Sequence, residues 1–180
     1  MSSTAMTASN AAIFKQGLVE VLPHLRAFAR GLCGNPDLAD DLVQETAIKA
    51  WNARDRFEPG TSLRAWTFTI LRNCFLNELR KSSRLVELDE DVHQSSMKVG
   101  AAQEDAIHLD DVNRALQKLP EERREALLLV GAGGLSYEEA ANIAGVAVGT
   151  MKSRISRGRA ELNNLLGQSS AAEIGASLDV

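Results

Sequence analysis

Apolar residues recur three or four positions apart through most of this chain, a period that commits it to amphipathic helices rather than strands. Phe14, Leu18, Val21, Leu22, Leu25, Phe28, Ala29 and Leu32 share one face of a helix predicted from Ile13 to Leu32. Gly34-Asn35-Pro36-Asp37 stops that helix and starts another. Asn35 suits the cap, and Pro36 the first helical position, where its missing N–H would have had no partner. The second helix is predicted over 37–53, with Leu38, Leu42, Val43, Ala47, Ala50 and Trp51 inward. The turn-forming run Phe57 to Ser62 leads into a third, predicted over 63–81, which buries Leu63, Trp66, Ile70, Cys74 and Leu79.

Residues 82–104, rich in serine and acid and without a sustained period, read as a flexible linker. The period returns near Asp110, a cap candidate, with Val112, Ala115, Leu116 and Leu119. Pro120-Glu121-Glu122 opens a helix that Gly131, Gly133 and Gly134 end. Ser136-Tyr137-Glu138-Glu139 has the form of a capping box, opening a short helix to Ala144, and Gly145 permits a tight turn. A last helix begins at Val148 or Thr150 and runs to about Leu166. The expected fold is therefore all-α. A three-helix module at 10–83 and a second helical module at 105–167 are joined by a linker at 84–104, and a frayed tail occupies 168–180.

Composition agrees with helices: aromatics are 4% of 180 residues, too few for a typical sandwich or barrel, while hydrophobic residues at 44% suffice for a core. No apolar run approaches the ~18–20 residues that span a bilayer, and Met1–Asn10 lacks the basic and apolar regions of a secretory signal. The cytoplasm is the expected location. Cys33 and Cys74 fall on separate predicted helices with no CxxC and no flanking His pair, so buried thiols are expected rather than zinc. His24, His93 and His108 are scattered. Without a convergent nucleophile, base or ligand set, no metal or cofactor is expected and an enzyme is the least supported class.

Charge carries the functional signal. The net charge is −4, yet residues 146–160 hold Lys152, Arg154, Arg157 and Arg159 with no acid. Residues 61–84 hold Arg64, Arg72, Arg80, Lys81 and Arg84 against Glu78 alone. Two basic islands in an acidic chain suggest two contacts with a polyanion. In the last helix Met151, Ile155, Leu162 and Leu165 point inward, leaving Thr150, Lys152, Ser153, Ser156 and Arg157 outside. A short capped helix, a glycine turn and such a basic helix form a helix-turn-helix pattern suited to base edges and phosphates. A solvated basic face on a protein-binding bundle is the plainer alternative.

The third helix carries a polar stripe, Thr69, Arg72, Asn73, Asn77, Arg80 and Lys81. Two asparagines four apart, backed by cations, can bond unpaired bases while the cations hold phosphates. The preceding loop, with Phe57, Thr61 and Ser62, could receive a base from a melted strand; otherwise Phe57 belongs to the core. The second helix presents Asp41, Gln44, Glu45 and Lys49, an acid-led face suited to a protein partner or simply to solvent.

Taken together, "DLADDLVQETAIKAW" (Asp37–Trp51), "SLRAWTFTILRNCFLNELRK" (Ser62–Lys81) and "LSYEEAANIAGVAVGTMKSRISRGRAEL" (Leu135–Leu162) resemble regions 2 and 4 of extracytoplasmic-function (ECF) sigma factors. "FEPGTSLRAWTFTILRN" and "LPEERREALLLVGAGGLSYEEAA" resemble, more narrowly, the EcfG-type general stress sigma factors of alphaproteobacteria. The resemblance covers about residues 10–167. It implies a subunit that binds core RNA polymerase and carries it to promoter DNA. By match to the motifs, Asp41, Gln44 and Glu45 would meet the polymerase clamp helices. Asn73 and the Phe57–Ser62 loop would read the melted −10 element. Lys152, Ser153 and Ser156 would face −35 bases, with Thr150, Arg154, Arg157 and Arg159 near phosphates. The family also implies an anti-sigma partner of the NepR kind, displaced by a phosphorylated, sigma-mimicking response regulator.

One departure stands out: Gly158 occupies a position where the family usually has Ala, and glycine inside a helix costs about 0.5–1 kcal/mol, so a looser helix is expected. Two other functions fit parts of the pattern. A sigma-like decoy would sequester an anti-sigma factor, but it needs a receiver domain for which this chain has no residues to spare. A one-component regulator using only the second module leaves the Asn73/Asn77 stripe unexplained.

Overall fold

A computed structural model describes residues 8–88 and 104–176, with side chains over 10–84 and 110–167. Among them are seven α-helices and no strand: α1 Ala8–Cys33, α2 Pro36–Asn52, α3 Leu63–Leu88, α4 Glu104–Lys118, α5 Glu121–Gly131, α6 Tyr137–Ala144 and α7 Val148–Ala176. A single 3-10 turn, Arg54–Arg56, follows α2.

The local signals act as their chemistry requires. The Asn35 side chain accepts from the backbone N–H of Asp37 and Leu38 at 2.9 and 3.1 Å, and Pro36 follows at the first helical position. At α6 the Ser136 hydroxyl accepts from the Glu139 N–H, and the Glu139 carboxylate accepts from the Ser136 N–H. Gly145 ends α6 in the left-handed conformation, φ 69°, and so aims α7 across the short α6.

Three boundaries differ from expectation. Helix α3 continues to Leu88 and α4 begins at Glu104, so both ends of the expected linker are helical; its remainder, 89–103, lies outside the described residues. Asp110 consequently sits inside α4 rather than capping it. Helix α7 runs through most of the expected tail, and 177–180 lie outside the described residues.

The face of α3 also differs. Thr67, Phe68, Leu71, Cys74 and Phe75 are its buried positions, whereas Leu63, Trp66 and Ile70 are half-buried and Leu79 is 40% exposed. From Leu76 to Arg84 no residue of α3 is buried, so the expected contribution of Leu79 to the core is lost. Trp51, expected inward, lies on the rim at 37% exposure, tilted against Phe14 with the Arg54 guanidinium 4.8 Å above its ring. Gly158 is buried, and a Cβ there would stand 3.1 Å from Leu127 Cδ1. The glycine expected to loosen α7 thus lets α5 approach it closely.

The two modules are not held apart. One continuous core runs from Leu25 and Phe28 of α1 through Phe68 and Leu71 of α3 to Leu128, Leu129, Met151 and Ile155 of the second module. Helices α4 and α5 pack on α1, and α6 packs on α3. A smaller cluster of Phe14, Leu18 and Ala50, joined by Phe57, Leu63 and Trp66, closes the far end of the first module.

Candidate polymerase and promoter interfaces

On α2 the core takes Ala39, Leu42, Val43, Thr46 and Ala50, which leaves Asp41, Gln44, Glu45 and Lys49 exposed on one side. Lys49 pairs with Glu45 at 2.7 Å, and its ammonium also lies 3.4 Å from the Cys74 sulfur. The Glu45 carboxylate first, and the thiol less strongly, hold the Lys49 ammonium above its ordinary pKa. Ile48, 54% exposed, stands among these polar residues and was not anticipated as part of the face. Its signal was available: an isoleucine outside the apolar spacing of its own helix.

On α3, Asn73, Asn77, Arg80 and Lys81 are exposed as the stripe requires. The Asn73 amide makes no hydrogen bond among the described residues, whereas the Asn77 carbonyl accepts from Arg80 at 3.1 Å. Because α3 outruns its expected end, Arg84 joins Asn77, Arg80 and Lys81 around a cleft of about 370 Å³ whose other walls are Glu45 and Cys74. Arg72 differs from the rest: it is half-buried, with its Nε 2.5 Å from the Glu125 carboxylate of α5.

The loop before α3 is ordered by its own bonds. Thr61 donates to the Glu58 carbonyl at 2.7 Å, and the Ser62 hydroxyl accepts from the Ala65 N–H at 3.1 Å, capping α3. Phe57 is half-buried, its ring centroid 5.7 Å from Phe14 and 5.5 Å from Trp66. Core and pocket readings of Phe57 therefore meet in one residue: it forms a wall, with Pro59, Thr61, Leu63, Ile13 and Phe14, of an open cavity of about 380 Å³.

On α7, Met151 and Ile155 are buried, and Thr150, Lys152, Ser156, Arg157 and Arg159 are exposed. Ser153 is half-exposed and donates to the Thr150 carbonyl at 2.9 Å. Arg154 is held back: its guanidinium pairs with Glu122 of α5 at 2.9 Å, and its side chain is 19% exposed. It ties α5 to α7, as Arg123 and Glu161 do at 2.5 Å. Lys152, Arg157 and Arg159 of this helix are exposed and make no ion pair among the described residues.

The two thiols differ: Cys74 is buried as expected, whereas Cys33 is half-buried. Cys33 donates to the Ala29 and Asn35 carbonyls, and burial pushes its pKa up. Among the described residues no group of His, Cys, Asp or Glu is placed to hold a metal, and no helix is long and apolar enough to cross a membrane.

Comparison with known proteins finds matches to two stretches of the chain. Residues 18–85 match the family model for sigma-70 region 2, and residues 109–162 that for sigma-70 region 4. An ECF RNA polymerase sigma factor, EcfG, of Rhodopseudomonas palustris is 47% identical over 161 residues, covering 89% of each chain. Among solved structures, the sigma factor RpoE of Bartonella quintana, in complex with the anti-sigma factor NepR, is 49% identical with a TM-score of 0.79. It covers 86% of this chain and 97% of its own. CnrH, in complex with the cytosolic domain of CnrY, is 29% identical with a TM-score of 0.68, covering 89% of this chain and 92% of its own. Decoy and one-component regulator are not favoured by these relatives.

Proposed function

Because the chain belongs to the extracytoplasmic-function family of sigma-70 RNA polymerase sigma factors, we propose that it is a cytoplasmic general stress sigma factor of the EcfG type, with three separate working faces. Asp41, Gln44, Glu45 and Lys49 of α2 meet core polymerase. Asn73, Asn77, Arg80 and Lys81 of α3, with the Phe57, Thr61 and Ser62 loop, take the melted −10 strand, and Arg72 joins them. Thr150, Lys152, Ser153 and Ser156 of α7 face the −35 duplex, with Arg157, Arg159 and the more restrained Arg154 on its phosphates. The chain itself catalyses no reaction; it brings the polymerase to the promoter and favours strand separation by binding bases that have left the duplex.

The observation that carries this reading is the exposure of Asn73, Asn77, Arg80 and Lys81 along one stripe of α3, together with a basic helix whose apolar side is locked inward. An exposed amide can exchange its water for the edge of a base that has left its stack. NepR, found with the Bartonella quintana relative, supports an anti-sigma partner of that kind here, drawn off in turn by a phosphorylated response regulator that mimics a sigma factor.

The test is transcription in vitro. Core polymerase plus this chain should yield transcripts from a stress promoter that core alone does not give. Gln44→Ala with Glu45→Ala should weaken binding to core at an unchanged thermal midpoint, since both side chains are exposed and outside the packed face. Unchanged affinity would remove α2 from the interface.

A further inference from the structure

The cleft between α2 and α3 is lined almost wholly by hydrogen-bond donors. Glu45 of α2 and Cys74, Asn77, Arg80, Lys81 and Arg84 of α3 enclose about 370 Å³. The one carboxylate among these walls is already answered. Glu45 pairs with Lys49 at 2.7 Å, and the Lys49 ammonium also lies 3.4 Å from the sulfur of the buried Cys74. The Asn77 carbonyl accepts from Arg80 at 3.1 Å, so its side chain offers a ligand only the two N–H donors of its amide.

The charges of this cleft do not balance within the fold. Lys81 pairs with Glu78 at 3.3 Å, but Arg80 and Arg84 make no ion pair among the described residues. Four positions apart on one helix, their side chains are neighbours, about 5–6 Å between Cβ atoms, and like charges so spaced repel. The helix dipole does not account for them, because α3 ends at Leu88 and the field of a helix end falls off within its last turn. Nor does packing, since both are exposed. Two unanswered guanidiniums, an ammonium and an amide around one hollow suit a ligand that only accepts hydrogen bonds. A guanidinium meets a phosphate through two parallel N–H bonds, which a rounder cation does not. The volume falls in the lower part of the roughly 300–1,000 Å³ range of small-molecule sites, which favours a group of linked phosphates over a lone ion.

From this geometry we infer that the α2–α3 cleft is a binding site for a compact oligophosphate, a pyrophosphate or triphosphate group that is free or the tail of a nucleotide. Arg80 and Arg84 hold its oxygens, Lys81 and Asn77 add donors, and the Glu45–Lys49 pair closes the α2 side. A nucleic-acid backbone also carries phosphates, but one per nucleotide. Directly linked phosphates bring several charges to both guanidiniums at once. The site stands whether or not α3 also takes the −10 strand. Where that reading holds, Arg80 and Lys81 serve both ligands, so a filled cleft excludes the strand. Arg84 then belongs to the oligophosphate alone, and the site acts as a brake on promoter melting.

The experiment titrates the full chain calorimetrically with sodium tripolyphosphate, pyrophosphate, orthophosphate and ATP, with ionic strength held equal by sodium chloride. Tripolyphosphate should bind one site and do so about tenfold or more tightly than orthophosphate. Tighter binding of ATP than of tripolyphosphate would assign the cleft to a nucleotide tail, and the reverse order to the free anion. Arg84→Ala, at an exposed position, should keep its helix content by circular dichroism and lose about tenfold in affinity or more. Arg84→Lys should recover only part of that loss. Glu45→Gln, which removes the carboxylate from the wall, should tighten binding about threefold. Lys152→Ala with Arg157→Ala on α7 should leave it unchanged. Equal affinity for orthophosphate and tripolyphosphate, full affinity in Arg84→Ala, or a loss confined to the α7 variant would each overturn the site. A fluorescein-labelled single-stranded DNA pool of randomised sequence then separates this site from the −10 reading. Displacement of the pool by tripolyphosphate from the parent, but weakly from Arg84→Ala, supports both. Tripolyphosphate binding that depends on Arg84 yet leaves the pool in place keeps the site and removes Arg80 and Lys81 from the −10 strand.

Discussion

Replacing Lys152 by alanine should damage sequence reading, whereas replacing Arg159 should damage only adhesion. Met151 and Ile155, at 0% and 2% exposure, fix which side of α7 faces its own module. Lys152 is therefore displayed near the start of the helix, the part that enters a major groove. A lysine there can donate to guanine O6 and N7, and a good base contact is worth about 1–3 kcal/mol of discrimination. At about 1.4 kcal/mol per tenfold, Lys152→Ala should lose about 5- to 150-fold in affinity for the −35 duplex that the protein selects from a random pool. Its affinity for scrambled duplex should change little. Arg159 lies two turns further along and is exposed, which suits phosphate. Arg159→Ala should weaken every sequence alike and reduce the slope of log affinity against log salt by about one. Arg154→Ala should lower the thermal midpoint and leave that slope nearly unchanged, because its guanidinium is committed to Glu122. The assay is fluorescence anisotropy with selected and scrambled duplexes at several salt concentrations. Equal loss on both duplexes for Lys152→Ala would refute the orientation given to α7.

Asn73→Ala should impair promoter melting more than duplex binding, read as lowered permanganate reactivity of −10 thymines at normal initial occupancy; normal melting with collapsed occupancy would count against it. Phe68→Ala, at a fully buried ring 4.9 Å from Phe28, should cost about 3–5 kcal/mol and lower the melting of both modules in one transition, because their core is shared. Two separate calorimetric transitions in the parent protein would contradict a shared core. The backbone N–H of Ser136, and then the Ser62 hydroxyl, hold the Glu139 carboxyl below the usual carboxylate range. A depressed folded-state pKa stabilises the fold above the unfolded value and loses that contribution as pH falls through the folded one. The thermal midpoint should therefore drop on acidification more steeply for the parent than for Glu139→Gln; parallel profiles would remove Glu139 from acid sensitivity.

Most of the helices were legible because their signals are local. Asn35 and Pro36 define the start of α2, and Ser136 with Glu139 that of α6, through bonds spanning two to three residues. The two ends of the expected linker were misread for an equally local reason. Serine and aspartate lower helix propensity, yet α3 and α4 each extend into that stretch from a well-packed neighbour, and extending an existing helix is far easier than nucleating one. Gly158 shows how propensity misleads when packing decides: its cost to the isolated helix is real, but the space it leaves is filled by Leu127.

The faces of α3 divide what sequence can tell from what it cannot. The exposed stripe was readable because Asn73, Asn77, Arg80 and Lys81 keep a helical spacing among polar residues. The buried face was assigned to Leu63, Trp66 and Ile70, which serve their own module, while Phe68, Leu71 and Thr67 are covered more completely. Phe68 is covered partly by the approach of Gly133, 65 positions along the chain, and nothing in the spacing of α3 announces that partner. The same holds for Arg72, whose place in the stripe predicts an outward cation. Only Glu125, an acid set among Ala126, Leu128 and Leu129 on another helix, turns it inward. A pattern read along one helix gives the residues able to meet DNA. Whether each is free to do so is decided across modules, by an acid and a few glycines whose local signals point elsewhere.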